Sequence, residues 1–241
     1  MPSVVAQGLL DVGVIPQSGY GMTEAGSHHY TRPDDATELV VGTSGRACAG
    51  YEVAIFSRED PEKQLPAGEV GQIGGRGASL MLGYFDDQAS TEGSFNASGW
   101  FLTGDLGWMD EEGYLRITGR KKDVIIRGGH NIFPAKIENL AMQHPDVAKA
   151  AAVPVPDERL GERVCLVVQP KPDRDVSSGD LLVHLADAGL SKYDMPEYLA
   201  TVDDLPLMPS GKVLKRRLLE WIEEGRLSPR PVRSPPTTTS A

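Results

Sequence analysis

The sequence contains four short stretches whose residue types could carry chemistry, and the first is SGYGMTE at positions 18–24. Its glycines would let the backbone approach a ligand closely. Thr23 could donate a hydrogen bond to a phosphate oxygen, and Glu24 offers a hard carboxylate oxygen that suits Mg²⁺. An ordinary strand-to-loop turn that ends in a solvated acid would also explain these residues.

The second stretch is GWFLTGDLG at positions 99–107, where Asp105 follows an aromatic pair and a glycine. A carboxylate at this place could accept hydrogen bonds from two ribose hydroxyls, as acids do in nucleotide sites. An Asx turn is the alternative, and it needs no ligand. Taken alone, the turn is the better explanation.

The third stretch is ITGRKKDVIIRGGHNIFP at positions 117–134, which holds four cations and two adjacent glycines. It could be a basic patch for nucleic acid, a turn with a solvated surface, or a working part of an enzyme. The chain has a formal net charge of -10, from 34 Asp+Glu against 24 Lys+Arg. Such a field repels nucleic acids and anionic membranes, so we expect no nucleic-acid partner.

The fourth stretch is LPLMPSGKVLKRRLLE at positions 205–220, where Lys212 follows a Ser-Gly pair and precedes a predicted helix. It is not a phosphate loop of the Walker type. That loop needs a glycine five positions before its Gly-Lys pair and Ser or Thr after it, whereas this chain has Pro206 and Val213. Taken alone, Lys212 is best explained as a solvated surface lysine.

Composition indicates a soluble globular protein, since 40% of the 241 residues are apolar and 24% are charged. No run approaches the roughly 18 apolar residues of a membrane helix, so no membrane span is expected. The start of the chain lacks the basic segment of a secretion signal. Cys48 and Cys165 lie far apart, which favours reduced thiols in a cytoplasmic protein. Adjacent His28 and His29 are expected to point apart, without metal-ligand spacing.

The pattern of apolar residues and turns around these stretches predicts an α/β segment followed by an α+β domain. The first residues read as a helix, a short strand and a glycine loop, typical of the end of an α/β layer. Between residues 43 and 118, short alternating segments and glycine-rich turns predict a small antiparallel β-barrel. After Arg120, apolar residues at helical spacing alternate with continuous apolar runs, which predicts three helices and three strands. We therefore assign residues 1–121 and 122–225 to two domains.

A Pro- and Thr-rich segment closes the chain, RLSPRPVRSPPTTTSA at positions 226–241. Such a composition predicts a disordered tail.

The order and wording of four motifs resemble the adenylate-forming superfamily, which comprises acyl-CoA synthetases, peptide-synthetase adenylation domains and firefly-type luciferases. The motifs are YGMTE, GRGASLMLGYF, the run from GWFLTGDLG to PAKIE, and PSGKVLKRRLLE. Within it, the wording is most similar to bacterial acyl-CoA ligases for cyclohexanecarboxylate-like or medium-chain acids. The resemblance implies an ATP-dependent ligase that joins a carboxylic acid to AMP and then passes the acyl group to coenzyme A. Its cofactors would be ATP/AMP, Mg²⁺ and coenzyme A.

The resemblance also assigns roles in the adenylation step to six residues. Tyr20, with Gly21, would bind adenine, Thr23 would contact the AMP phosphate, and Glu24 would hold Mg²⁺. Asp105 would bind the ribose hydroxyls, with Arg120 nearby.

The remaining roles fall on the third and fourth stretches. Lys212 would enter the site and bind the carboxylate and phosphate oxygens during adenylation. Lys122 matches the hinge about which a mobile C-terminal domain rotates between the two half-reactions. Gly128 and Gly129 would line the path of the pantetheine arm of coenzyme A.

The chain also departs from the family pattern. The phosphate-binding loop, a Ser/Thr/Gly-rich run that ends in Pro-Lys-Gly, is absent from the sequence. We therefore expect the C-terminal portion of a longer synthetase, whose partner is a missing N-terminal half. Lys136 stands where an acid is usual, and a cation in the first turn of a helix is mildly unfavourable.

Two other functions stay open. The chain could be a catalytically inactive fragment or an interaction module. It could also be a carrier-protein-loading adenylation domain, although no carrier-protein motif around a modifiable serine follows Gly225.

Overall fold

The computed structural model describes residues 3–209 and 211–232. The chain divides into two compact units, Met1–Lys122 and Asp123–Ala241, and each is described by itself. We call them unit 1 and unit 2. Motion of the predicted domain 122–225 stays a prediction.

Unit 1 begins with a helix and a short strand, as the sequence predicts, and continues mainly in strands. Its described elements in chain order are α1 (Ser3–Asp11), β1 (Gly19–Met22), β2 (Gly26–Tyr30), α2 (Thr37–Gly42), β3 (Arg46–Ala47), β4 (Tyr51–Phe56), β5 (Gly71–Gly77), α3 (Gln88–Gly93), β6 (Phe101–Met109) and β7 (Leu115–Arg120).

The strands of unit 1 form two antiparallel sheets. One has the order β1-β2-β3, and the other is a meander with the order β4-β5-β6-β7. The predicted barrel is wrong, because β4 and β7 lie at opposite ends of this sheet and do not pair with each other among the described strands. β3 belongs to the other sheet, where it pairs with β2 through His29↔Ala47 and Tyr30↔Arg46.

The core of unit 1 joins the two sheets. Tyr20 from β1 packs in one buried cluster with Ile55, Ile73 and Leu115, which come from β4, β5 and β7. Burying apolar side chains contributes about 1.5–3 kcal/mol each. The β1–β2 hairpin is therefore held against the four-stranded sheet by apolar packing.

Unit 2 follows a 3₁₀-helix at Lys121–Asp123, which spans the division between the units. Its described elements are β8 (Ile125–Arg127), β9 (His130–Ile132), α4 (Pro134–Ala141), β10 (Val147–Asp157), β11 (Gly161–Pro170), α5 (Ser178–Asp187), β12 (Tyr198–Thr201), α6 (Lys215–Glu223) and β13 (Arg230–Pro231).

Strand β11 is the centre of a six-stranded sheet in unit 2. It pairs antiparallel with β10 over its length, antiparallel with β8 at Gly161↔Arg127, and parallel with β12. Alternate β11 residues enter different cores: Leu166 lies in the cluster with α4 and α5, and Val167 in the cluster with α6. Both faces of the sheet are thus covered by helices, which explains the continuous apolar run in β11.

The three helices of unit 2 occur where the sequence predicts them, with the expected ends. Pro134 opens α4, where its missing N–H costs nothing. Ser177 Oγ caps α5 by accepting a hydrogen bond from Asp180 N at 3.4 Å. Gly189 and Gly225 follow α5 and α6 with φ of +82° and +70°, the left-handed conformation that glycine adopts without strain.

The predicted disordered tail is wrong for its first residues. Leu227 is buried, and its N–H donates to Trp221 O at 2.9 Å. Strand β13, Arg230–Pro231, pairs with β12. An apolar leucine in an otherwise polar segment provides the anchor. The remainder of the predicted tail, residues 233–241, lies outside the described residues.

Substitution of Gly45 tests how closely β2 and the segment before β3 approach each other. It has φ +76°, and an added Cβ would lie 1.8 Å from Tyr30 C, a backbone atom. Gly50 has φ +81° with open space around it. Both alanine variants share a conformational cost of about 1–2 kcal/mol, so we expect Gly45→Ala to lose at least about 2 kcal/mol more than Gly50→Ala. Urea unfolding followed by circular dichroism checks this, and equal midpoints would contradict the close approach.

Candidate active site

The YGMTE motif forms a hairpin tip. β1 ends at Met22, and Ala25 N–H donates to Met22 O at 3.2 Å, which closes a turn that carries Thr23 and Glu24. Thr23 is exposed and Glu24 is half-buried. A Cβ at Gly21 would lie 2.4 Å from Gly26 O, so close strand pairing alone requires glycine there.

A neighbouring loop holds this turn through three hydrogen bonds. Ser79 Oγ donates to Ala25 O at 2.8 Å, and Met81 N–H donates to Glu24 O at 2.7 Å. The Tyr84 hydroxyl donates to Glu24 Oε1 at 3.1 Å, and burial together with this hydrogen bond raises the pKa of Tyr84. The sequence assigned no role to Tyr84, although it lies within the quoted GRGASLMLGYF motif.

Asp105 brings together three of the predicted nucleotide-binding residues. It is buried on β6, opposite Arg120 on β7. Arg120 Nε lies 3.0 Å from Asp105 Oδ1, and the Tyr20 hydroxyl donates to Oδ2 at 2.8 Å. Burial, and then the charge of Asp105, raise the pKa of Tyr20 well above its ordinary value, so this phenol stays a donor.

The two adjacent histidines do not point apart, and that prediction is wrong. Their Nδ1 atoms lie 2.9 Å from each other, and both rings are buried beside Tyr20. The cause is a β-bulge: Tyr20 pairs with His29 and Gly21 with Ser27, which leaves His28 as the extra residue. The two residues at a bulge oppose one partner, so the strict alternation of side chains is lost.

Both histidines of the pair are buried, and burial affects their pKa values. No group of three or more His, Cys, Asp or Glu within the described residues could hold a metal ion. Burial lowers the pKa of His28 to about 4, and burial with the neighbouring His28 lowers that of His29 to about 3. At neutral pH this pair is an uncharged support behind Tyr20.

The junction between the units is tethered on each side of Lys122. In unit 1, Lys121 Nζ donates to Gln72 Oε1 at 3.3 Å. In unit 2, Asp123 Oδ2 lies 4.0 Å from Lys215 Nζ. Lys122 itself is exposed and lines, with Tyr84, an open cavity of about 650 Å³ in unit 1. Its two neighbours are thus each attached to their own unit.

Gly128 and Gly129 form the exposed turn between β8 and β9, with φ of +58° and +83°. Gly128 N–H donates to Leu160 O at 2.7 Å. Lys136, which stands where the resemblance predicts an acid, has its Nζ 3.9 Å from Asp194 Oδ2.

Lys212 lies on a narrow loop just before α6. Leu207 and Val213 form a bridge, and Met208 N–H donates to Lys212 O at 2.8 Å. Gly211 makes the turn with φ +80°. Ser210 lies outside the described residues. Lys212 is exposed, as expected of a residue that reaches a ligand and equally of a surface lysine.

Both units match one enzyme family. Residues 1–85 match AMP-binding enzyme, and residues 136–212 match AMP-binding enzyme C-terminal domain. This chain belongs to the AMP-binding enzyme family. The predicted resemblance to adenylate-forming enzymes is therefore confirmed.

Known members similar to this chain use chemically different acids. The chain is 38% identical to the medium-chain fatty-acid–CoA ligase of Escherichia coli, covering 89% of this chain and 38% of that protein. It is 37% identical to the vibriobactin-specific 2,3-dihydroxybenzoate-AMP ligase of Vibrio cholerae, covering 84% and 37%. It matches o-succinylbenzoate CoA synthetase of Bacillus subtilis, solved with its acyl-adenylate intermediate, at TM-score 0.81 and 31% identity, covering 90% and 43%.

This AMP-binding chain spans about two fifths of the length of these relatives. Within its described part, no helix combines the length and the apolar character needed to cross a membrane.

The buried histidines predict a stability that falls with acid. The pKa values of about 4 and about 3 lie below the unfolded value of 6.5, so the unfolded chain binds more protons below that pH. Stability present above about pH 6.5 is therefore lost as the pH falls towards the folded values. Between pH 6 and pH 5 we expect a loss of about 1–2 kcal/mol in urea unfolding. A His28→Gln/His29→Gln variant should lose that part of the slope, and an unchanged slope would contradict the assignment.

Proposed function

We propose that this chain is the C-terminal portion of an AMP-forming acid–thiol ligase, which makes an acyl-adenylate and then a coenzyme A thioester. The observation that carries the proposal is the contact of one buried carboxylate, Asp105, with both Tyr20 and Arg120 in a member of the AMP-binding family. Asp105 would supply the acceptor that the ribose of a nucleoside monophosphate needs.

The ribose would bind at Asp105. An ionised carboxylate has about four acceptor positions, so Asp105 can keep Tyr20 and Arg120 and still accept hydrogen bonds from ribose hydroxyls. The exposed backbone of Gly21 would lie beside adenine. Tyr20, whose side chain is buried, would support this site through its hydroxyl on Asp105. The fixed phenol and guanidinium keep the acid oriented before the nucleotide arrives.

The phosphates would bind at the hairpin tip. Thr23 is exposed there and can donate to a phosphate oxygen. Glu24 keeps Oε1 on the Tyr84 hydroxyl, which leaves Oε2 for a hard cation. Mg²⁺ suits this oxygen and would offset the charge of the triphosphate. The described loop thus holds the Glu24 carboxylate in one orientation.

Lys212 would serve the adenylation step. A substrate carboxylate that attacks a phosphate brings two anions together, so a positioned cation is most valuable where their charges converge. Its narrow loop holds the backbone through Met208 and leaves the side chain exposed.

Lys122 would be the hinge between the half-reactions. Hinge residues absorb changes in φ and ψ while their surroundings stay intact. Lys121 contacts Gln72 of unit 1, and Asp123 lies 4.0 Å from Lys215 of unit 2, which supports a joint at or beside Lys122. Gly128 and Gly129 would then border the pantetheine arm, because a turn without Cβ atoms offers a thin wall.

The proposal also covers the substrate acid, the cellular location and the polypeptide partner of this chain. Similar identities to fatty-acid and dihydroxybenzoate ligases do not favour one acid. Free Cys48 and Cys165 agree with a cytoplasmic location. A polypeptide that supplies the phosphate-binding loop would complete the enzyme.

The purified chain tests the proposal when it is mixed with ATP, Mg²⁺ and a panel of acids, alone and with the N-terminal portion of a similar ligase. We expect pyrophosphate release that depends on the acid, followed by a coenzyme A thioester. Release only with the added portion would identify a split enzyme. Silence in both mixtures would favour the inactive-module alternative, and adenylate without thioester would favour carrier-protein loading.

Lys212→Ala should lower adenylation by roughly two to three orders of magnitude, because it removes the cation at the converging charges. Thioester formation from supplied acyl-adenylate should change much less. Arg216→Ala is a charge-matched control, since Arg216 is exposed on the same segment and pairs with Glu220. Equal loss in both half-reactions would reject the role of Lys212.

Lys122→Pro should separate the half-reactions, because proline fixes φ at the proposed joint. Adenylation should persist while overall thioester turnover falls at least about tenfold. Lys122→Ala keeps the backbone free and should remain close to wild type. Normal overall turnover in the proline variant would refute the hinge.

A further inference from the structure

One carboxylate in unit 2 holds the segment that follows the Gly128–Gly129 turn. Asp194 lies in the loop between α5 and β12. Its Oδ1 is 2.9 Å from His130 Nε2, and its Oδ2 is 3.9 Å from Lys136 Nζ. His130 is the first residue of β9, directly after Gly129, and Lys136 lies in the first turn of α4. Asp194 thus connects its own loop to the start of β9 and to the first turn of α4, which lie about 60 residues earlier in the sequence.

The carboxylate is the fixed member of this group. The Asp194 side chain is 16% exposed, whereas those of His130 and Lys136 are 50% and 54% exposed. Asp194 N–H donates to Ser191 O at 2.9 Å, which fixes the backbone of its loop. A shielded, charge-assisted hydrogen bond is stronger than a pair on the open surface.

The hydrogen bond between His130 and Asp194 determines which atom is the donor. An ionised carboxylate can only accept, so His130 Nε2 must carry a proton and donate it to Asp194 Oδ1. This bond fixes the ring plane and, through it, the start of β9.

The glycine turn is closed by the pairing of Arg127 with His130, and side-chain contacts add to this pairing. Gly128 and Gly129 are exposed, and glycine loses more conformational freedom on ordering than any other residue. On the β8 side, Gly128 N–H is held by Leu160 O. On the β9 side, the side-chain anchor is His130 on Asp194.

We propose that Asp194 is a positioning residue for the thioester step, which holds the Gly128–Gly129 turn through His130. The inference rests on the proposed function, since that function places coenzyme A beside the turn. It also gives a reason for Lys136, where the resemblance predicts an acid. Asp194 supplies the opposite charge that offsets a cation in the first turn of a helix.

Hydrogen exchange of the intact purified chain tests whether Asp194 stabilises the glycine turn, and it requires no enzyme activity. Asp194→Asn should speed amide exchange at residues 128–130 by about tenfold, the loss expected for one charge-assisted hydrogen bond. Asp187→Asn is the matched control, because Asp187 is an exposed acid at the end of α5. Exchange equal to wild type in Asp194→Asn overturns the positioning role.

The thioester half-reaction tests whether the contact between Asp194 and the glycine turn affects the use of coenzyme A. With supplied acyl-adenylate, Asp194→Asn should raise KM for coenzyme A about tenfold with a smaller change in kcat, while pyrophosphate release stays unchanged. Asp194→Glu should recover part of the loss. Equal loss in both half-reactions would overturn the inference and indicate a general structural role.

The two measurements separate the two hypotheses. A wild-type chain that forms no thioester, with or without an added N-terminal portion, overturns the proposed function and with it the assignment to that step. Faster exchange in Asp194→Asn would still show that the carboxylate holds the turn. Unchanged exchange in an active chain rejects the positioning role alone.

Discussion

The buried carboxylate of Asp105 is the constraint on which the arrangement of unit 1 depends. An ionised side chain with 11% of its surface exposed must keep its partners, because an unpaired buried charge costs several kcal/mol. Arg120 comes from the neighbouring strand, and the Tyr20 hydroxyl comes from the β1–β2 hairpin. One side chain therefore joins the two sheets, and it places the hairpin whose tip carries Thr23 and Glu24.

Shielded acids also connect segments in unit 2, in addition to the apolar packing of those segments. Glu138 Oε1 accepts from Lys215 Nζ at 2.7 Å and from a β10 backbone N–H at 2.8 Å, which ties α6 to α4. Glu197 holds Arg127 at the end of β8, and Asp194 holds the residue after the glycine turn. Some of the acids of this chain thus hold secondary-structure elements together inside unit 2.

Local sequence patterns predicted the regular helices and strands. They did not predict which strands pair or where the pairing is irregular. Helices α4 to α6 and strands β10 and β11 follow from periodicity, caps and apolar runs. The barrel and the diverging histidines were wrong because strand partners and a bulge beside Gly21 depend on pairing that no local pattern records. The family came from motif wording. Tyr84 and Asp194 went unrecognised because their contacts join residues about 60 positions apart.

Charge placement explains how an acidic chain can serve anionic ligands. A net charge of -10 opposes the approach of ATP, yet fields between exposed charges fade within about 8 Å at physiological salt. What a phosphate meets at close range is then local. The acids described above are shielded and paired, whereas Lys122 and Lys212 are exposed. Such a lysine contributes little in open water and much more once bound substrate excludes solvent. The proposed catalytic value of Lys212 therefore depends on the exclusion of water from its side chain by bound substrate.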